Sequence, residues 1–223
     1  MKQFNTPILL IIFNRPDLTK ETLQAILNVN PKKLYIVADG PRNKKEEILC
    51  EETRKVVDDL NLDNCKIFKN YSTINLGVDK RIPSGIDWFF ENEEMGIILE
   101  DDCLPNKSFF YYTEELLEKY KDDNRVGVIS AYNNFGKIKI KESYLFSKNS
   151  YTWGWATWKR AWKKYDGEML FWKNNKKKIL NKFKNPFVKL YYYLIMNATQ
   201  KGKIKAWDYR WTLNFWELYQ KLI

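Results

Sequence analysis

Histidine is absent from the sequence, and its only thiols are three cysteines. Without an imidazole, Ser-His-Asp and Cys-His chemistry is excluded, and any general base has to be a carboxylate, a lysine, a tyrosine or a cysteine. Carboxylates are the natural choice. Cys50, Cys65 and Cys103 form no C-x-x-C pair and no metal-ligand spacing. Their odd number suits a reducing cytoplasm better than an oxidised framework, in which thiols pair. Long apolar runs are also missing, and nothing approaches the roughly 18 residues that a membrane helix requires. The apolar run at residues 8–13 is a strand's length and is stopped by Asn14-Arg15-Pro16, unlike a signal peptide. The chain is therefore expected to be soluble and cytoplasmic. There is no internal repeat and no low-complexity linker, so residues 1–223 read as one domain: a nucleotide-binding half over 1–105 and an acceptor-side half over 106–223.

What is present is positive charge and aromatic surface. The formal net charge is +10, and the excess gathers late in the chain. Lys173, Lys176, Lys177, Lys178, Lys182, Lys184 and Lys189 are interleaved with Phe171, Trp172, Phe183, Phe187 and Tyr191. Such a stretch suits an anionic membrane surface, a diphosphate-bearing substrate or nucleic acid, or is simply a solvated helix face. No DNA- or RNA-binding motif accompanies it, so nucleic acid is not expected as a partner. Peripheral contact with the anionic inner face of a membrane is the expectation for residues 171–193.

The first half alternates strand and helix signals. Residues 7–13, 34–38, 65–70 and 95–99 read as strands, and 18–29, 46–60 and a segment holding 82 and 86–90 as helices. Ile48, Leu49, Val56, Val57 and Leu60 are expected on one side of the second helix. This order predicts an α/β fold with a mostly parallel, Rossmann-like sheet and helices on both faces. A helix follows over 108–120, a strand over 126–131 and a short one over 144–146. From residue 151 onward the pattern reads as helical and tryptophan-rich. In open α/β sheets ligands bind beyond the carboxyl ends of the strands. That rule gathers Asn14 and Arg15, Asp39 and Gly40, and Glu100 to Asp102 along one edge.

The strongest chemical signal is Ile97-Ile98-Leu99-Glu100-Asp101-Asp102-Cys103-Leu104-Pro105. Three carboxylates leave the end of an apolar strand together. Crowded like charges raise one another's pKa values and cost stability unless a cation offsets them. Oxygen-only ligands suit a hard ion, Mn²⁺ or Mg²⁺, that shares its sites with substrate phosphates. The plainer alternative is a solvated acidic turn leading into the next helix.

This strand-Glu-Asp-Asp arrangement resembles the metal-binding DXD element of glycosyltransferases with the GT-A fold. The resemblance implies that Asp102 ligates the metal and that Glu100 and Asp101 serve the donor. Residues 7–16, with Asn14 and Arg15, look like the family's opening nucleotide-binding strand. Asp39 matches its uracil-recognising acid. Asn75-Leu76-Gly77, with Arg81 beyond, resembles the Asn-x-Gly segment that packs the nucleotide, and Arg81 would pair with a phosphate or with Asp101. Residues 152–158, Thr-Trp-Gly-Trp-Ala-Thr-Trp, and residues 207–211, Trp-Asp-Tyr-Arg-Trp, are similar to N-acetylglucosaminyltransferase I and related bacterial sugar transferases. By that likeness Trp153, Gly154 and Trp155 line the donor or acceptor pocket, and Asp208 is the catalytic base. A helix N-cap is the structural alternative for Asp208.

The function implied is inverting, metal-assisted transfer of a sugar from a nucleotide-diphosphate sugar, a UDP-sugar, to a glycan or lipid-linked glycan. The alternatives are a non-catalytic nucleotide-sugar-binding protein and a sugar nucleotidyltransferase. The latter is disfavoured by the absence of glycine in Asn14-Arg15-Pro16-Asp17. Residues 212–223 read as a helix without a stop signal, so a C-terminus truncated relative to the family is expected.

Overall fold

Five consecutive apolar residues, Ile8–Ile12, form a first strand (β1) buried along its whole length. A strand covered on both faces reads as a continuous hydrophobic run, not as an alternation. The computed structural model describes residues 3–132, 136, 141–147 and 151–217. After β1 come α1 (Pro16–Leu27), β2 (Lys33–Ala38), α2 (Lys44–Asp58), β3 (Lys66–Tyr71), α3 (Val78–Asn92), β4 (Met95–Glu100) and α4 (Lys107–Lys119). Pro16 opens α1, where its missing N–H costs nothing. Asn43 and Asn106 cap α2 and α4 by accepting from the backbone N–H groups of Glu46 and Phe109.

The second half adds β5 (Ile129–Ser130), β6 (Trp155–Trp158), α5 (Lys159–Trp162), α6 (Leu170–Leu180), α7 (Pro186–Gln200) and α8 (Trp207–Glu217). Among the described residues the sheet order is β3-β2-β1-β4-β6-β5. β1 pairs in parallel with both β2 and β4, and β2 with β3. β6 runs antiparallel to β4 and β5. The fold is thus α/β, a mostly parallel Rossmann-like sheet flanked by helices. Its strand order reverses between β1 and β4, which opens a crevice at their carboxyl ends.

One face of the sheet packs on α1, α2 and α4, through Leu23, Ile26, Val57, Phe110 and Leu117. The other packs on α3, α5 and α8, through Ile86, Phe89, Trp162, Trp207 and Trp211. A smaller core of Met169, Trp172, Ile179, Met196, Leu213 and Trp216 joins α6, α7 and α8.

Several sequence expectations are corrected. Residues 155–158 are a strand, not part of a helical tail. Ala156 and Trp158 enter one core and Trp155 the other, the period of two that a buried strand requires. The strand expected over 126–131 is confined to Ile129–Ser130, and residues 144–146 carry no named strand. On α2 the buried residues are Cys50, Thr53 and Val57, whereas Ile48 and Leu49 are exposed. Trp155 lies against Trp162, Trp207 and Trp211, with ring centroids 5.7–6.4 Å away. Truncating so large a buried ring leaves a cavity that the packed sheet cannot close. Trp155→Ala is expected to lose about 3–5 kcal/mol of stability, measurable by urea unfolding.

Candidate functional site

The crevice between β1 and β4 is closed by an ion pair. Arg15, just past β1, presents its guanidinium fork to Asp101: Nε donates to Oδ2 at 3.2 Å and Nη2 to Oδ1. Its Nη1 also donates to Asp102 Oδ2 at 3.0 Å. Asp101 is only 2% exposed. A carboxylate so buried costs several kcal/mol unless paired and hydrogen-bonded. The turn is held from beneath by α1, where the Thr22 hydroxyl donates to the carbonyls of Asp101 and Cys103 at 2.9 and 3.2 Å. The Asp101 N–H donates to Ile11 O at 3.0 Å. Thr22 was invisible in the sequence because a threonine inside a helix has no chemical signature.

This bracing fixes where the neighbouring acids go. Asp102 projects outward, half-exposed. Glu100, at the end of β4, is pushed up to about 7, by burial first and then by repulsion from Asp102, Asp101 and Asp208, against a small relief from Arg15. Asp208 therefore comes within electrostatic reach of Glu100, although more than 100 residues separate them. Its placement follows from Trp207 and Trp211, four apart on α8 and both buried in the tryptophan cluster. Asp208 occupies the first turn of α8, where its carboxylate accepts backbone N–H groups of the turn. Burial raises its pKa above the ordinary carboxylate value, and those hydrogen bonds partly offset the rise.

The donor set suits a hard divalent ion in one respect and limits it in another. All the groups are carboxylate oxygens, and after burial the neighbouring carboxylates Asp102, Asp101 and Asp208 add to the upward shift of Glu100. Among the described residues, however, no three acidic or thiol side chains converge to form a complete protein cage. A divalent ion at this place would have to take most of its ligands from phosphate and water.

A second constellation sits at the carboxyl ends of β2 and β3. Asp39, nearly buried, accepts four hydrogen bonds: Oδ1 from the N–H groups of Gly40 and Leu76, Oδ2 from Asn75 Nδ2 and the N–H of Gly77, all at 2.9–3.1 Å. Gly77 has φ +78°, a conformation that L side chains rarely adopt, and leads directly into α3. Gly40 passes so close to Ile74 that a Cβ would stand 2.4 Å from its carbonyl carbon. Asn14 sits nearby on Glu46 of α2, with Nδ2 to Oε1 at 3.4 Å.

These contacts correct three expectations. The acceptor positions of Asp39 are occupied, three by the 75–77 turn and one by the N–H of Gly40, so a uracil ring would have to displace one of them. Arg81 is buried and donates to Ala38 O at 3.1 Å, to Asn70 O and to Asn70 Oδ1, not to Asp101. Burial lowers its pKa. Trp155 is 1% exposed inside the tryptophan cluster and offers no face to a ligand. Trp153, by contrast, is 64% exposed. It packs edge-on against Tyr132, with ring centroids 4.8 Å apart. Gly154, at φ +71°, lets the chain turn from that open tryptophan into buried β6.

Beside Asp102 lies a cleft of about 1140 Å³. Trp153, Tyr112, Tyr132, Tyr151, Ser108 and Asn106 are among the residues that line it. The tyrosines were missed in the sequence. Their signal was weak, since Tyr112 sits one helical turn from Ser108 on α4 and the others lie in loops.

No known family profile matches the chain, and no curated protein sequence is similar to it. Among solved structures, the chain is similar to 4-diphosphocytidyl-2C-methyl-D-erythritolsynthase from Anaerococcus prevotii DSM 20548. The two share 14% identity over 74% of this chain and 83% of that one, with a TM-score of 0.45. At that identity and score the likeness carries no correspondence of residues or activity.

The shift of Glu100 has a thermodynamic consequence. Between its ordinary value of 4.5 and about 7, the folded chain holds a proton that the unfolded chain has released. This group's contribution to stability therefore falls as pH rises, and its full cost, about 3 kcal/mol, is felt above pH 7. Glu100→Gln is expected to flatten that slope and to be more stable than the parent at pH 8 but not at pH 4. Urea midpoints at the two pH values measure the difference, and parallel curves would place the titration elsewhere.

Proposed function

We propose that this protein is a metal-assisted glycosyltransferase that moves a sugar from a nucleoside-diphosphate sugar to a glycan or lipid-linked glycan, with inversion. The observation that carries the reading is that Glu100, Asp101 and Asp102 leave the end of β4 together at the crevice with β1, and that Asp102 lines an aromatic cleft. Excess negative charge at that position of an α/β sheet suits a cation and the diphosphate it accompanies. The aromatic and hydroxyl lining of the cleft suits a sugar, whose ring has an apolar face and a polar rim.

In this reading Asp208 is the general base. It takes the proton of an acceptor hydroxyl as that oxygen attacks the anomeric carbon. The bond from that carbon to the diphosphate breaks, and its electron pair leaves on the phosphate oxygen. A carboxylate whose pKa is raised by burial is a better base than one in water. Arg15 holds Asp101 in place and steadies Asp102. The backbone N–H groups of the first turn of α3, beyond Gly77, face the donor, and Trp153 stacks on the sugar. Mn²⁺ or Mg²⁺, held by Asp102 and the donor diphosphate, would stabilise the charge that builds on the leaving group. With the acceptor positions of Asp39 occupied, the nucleobase has no assigned partner, so the donor is defined here by its diphosphate.

Two variants separate the roles. Asp102→Ala is expected to abolish Mn²⁺-dependent thermal stabilisation by nucleotide-sugars while leaving the unliganded melting temperature close to that of the parent. Asp208→Asn is expected to bind donor as the parent does and to lose about 100- to 10,000-fold in transfer rate, read by single-turnover assays. Full activity of Asp208→Asn would remove it as the base. Failure of every nucleotide-sugar to stabilise the parent with Mn²⁺ would remove the donor site altogether.

A further inference from the structure

From residue 169 to residue 207 the chain contains ten lysines and no aspartate or glutamate. Among the described residues, none of these lysines is paired with a carboxylate. The segment holds α6 and α7, and α7 is two-faced. Met196 and Thr199 are buried, and Tyr192 stacks on Phe183 and meets Trp216 edge-on, so this side of the helix supplies the small third core. The opposite side carries Phe187, Leu190, Tyr191 and Leu194, spaced i, i+3, i+4 and i+7, at 80, 55, 50 and 58% exposure. That spacing draws a single apolar stripe along the outside of the helix. Phe187, Leu190 and Leu194 belong to none of the three cores. Lys177 and Lys178 on α6, which packs against α7, and Lys184, two residues before α7, are exposed.

We infer that the outward face of α7 is a docking surface for an anionic lipid bilayer. An interfacial helix buries an apolar stripe at the boundary of headgroups and acyl chains, while surrounding lysines meet the lipid phosphates. Phe187, Leu190 and Leu194 supply the first requirement. Lys177, Lys178 and Lys184 supply the second, and tyrosines such as Tyr191 and Tyr193 are the side chains that settle at that boundary. A second copy of this chain is disfavoured as the occupant, because stripe against stripe would bring two lysine rims together. Nucleic acid would match the lysines but leave the leucines without a counterpart. The helix lies along the surface and does not cross it, since no described helix is long and apolar enough to span a bilayer. The inference does not depend on the transferase reading.

The test is co-sedimentation of the full chain with phosphatidylcholine vesicles and with vesicles containing one-third phosphatidylglycerol. Binding is expected only to the anionic vesicles. Phe187→Ser combined with Leu194→Ser, and separately Lys177→Glu combined with Lys178→Glu, should each weaken it by about tenfold or more. Both variants should keep the parent circular dichroism and melting temperature, because the mutated side chains lie outside the cores. Absence of binding to anionic vesicles overturns the inference, as does binding that survives the serine variant. A dimer in solution that dissociates in the serine variant would assign the stripe to a second copy. Retention on single-stranded RNA that depends on Phe187 and Leu194 would assign it to nucleic acid.

Discussion

The pairing of Arg15 with Asp101 governs the geometry of the crevice between β1 and β4. A carboxylate almost wholly removed from water is tolerable only with a fixed, bidentate counter-ion, and the guanidinium just beyond β1 provides one. Because the partners follow adjacent parallel strands, the ion pair also ties the two halves of the crevice together at the point where the strand order reverses. Asp102 is thereby aimed outward and Glu100 is left without full compensation. One buried pair thus fixes the turn, while the pKa of Glu100 stays raised by its own burial and by the neighbouring carboxylates.

The tryptophans act on the opposite side of that crevice. Trp155 on β6, Trp162 on α5, and Trp207 and Trp211 on α8 form one contiguous cluster. Trp162 anchors it to α3 by donating to Asp87 at 2.7 Å. The cluster seats α8 against the sheet, and Asp208, one residue after Trp207, is carried to the crevice with it. Aromatic packing here does the positioning, and the open Trp153 is left for contact with ligand.

Much of this was legible in the sequence. The apolar runs that end in Asn14, Asp39 and Glu100 marked three parallel strands, because strands buried on both faces have no alternation to disguise them. The acidic triplet announced itself by emerging from such a run. Residues 155–158 were misread because four residues hold too little periodicity to separate a strand from the start of a helix. What decided the matter was a distant partner, the otherwise unpaired edge of β4. Asp39 and Arg81 failed for a related reason: a residue type and its position reveal the capacity for hydrogen bonds, but not whether neighbouring backbone has already consumed it. Trp153 and Trp155, two apart, would share a face on a regular strand, but Gly154, at φ +71°, breaks the alternation and leaves one exposed and the other buried.

The place of β6 in the sheet bears on how the chain is made. During synthesis, β1 to β4 can assemble as soon as they leave the ribosome, yet the Ile97-Ile98 side of β4 then waits for a strand that begins more than fifty residues later. Until Trp155 to Trp158 arrive, an apolar sheet margin stands open, the kind of template on which nascent chains stick to one another. Assembly of the crevice is later still, since Asp208 must be translated and α8 seated. The polypeptide is therefore expected to depend most on chaperones in the interval between β4 and α8, and to complete the crevice only once α8 is seated.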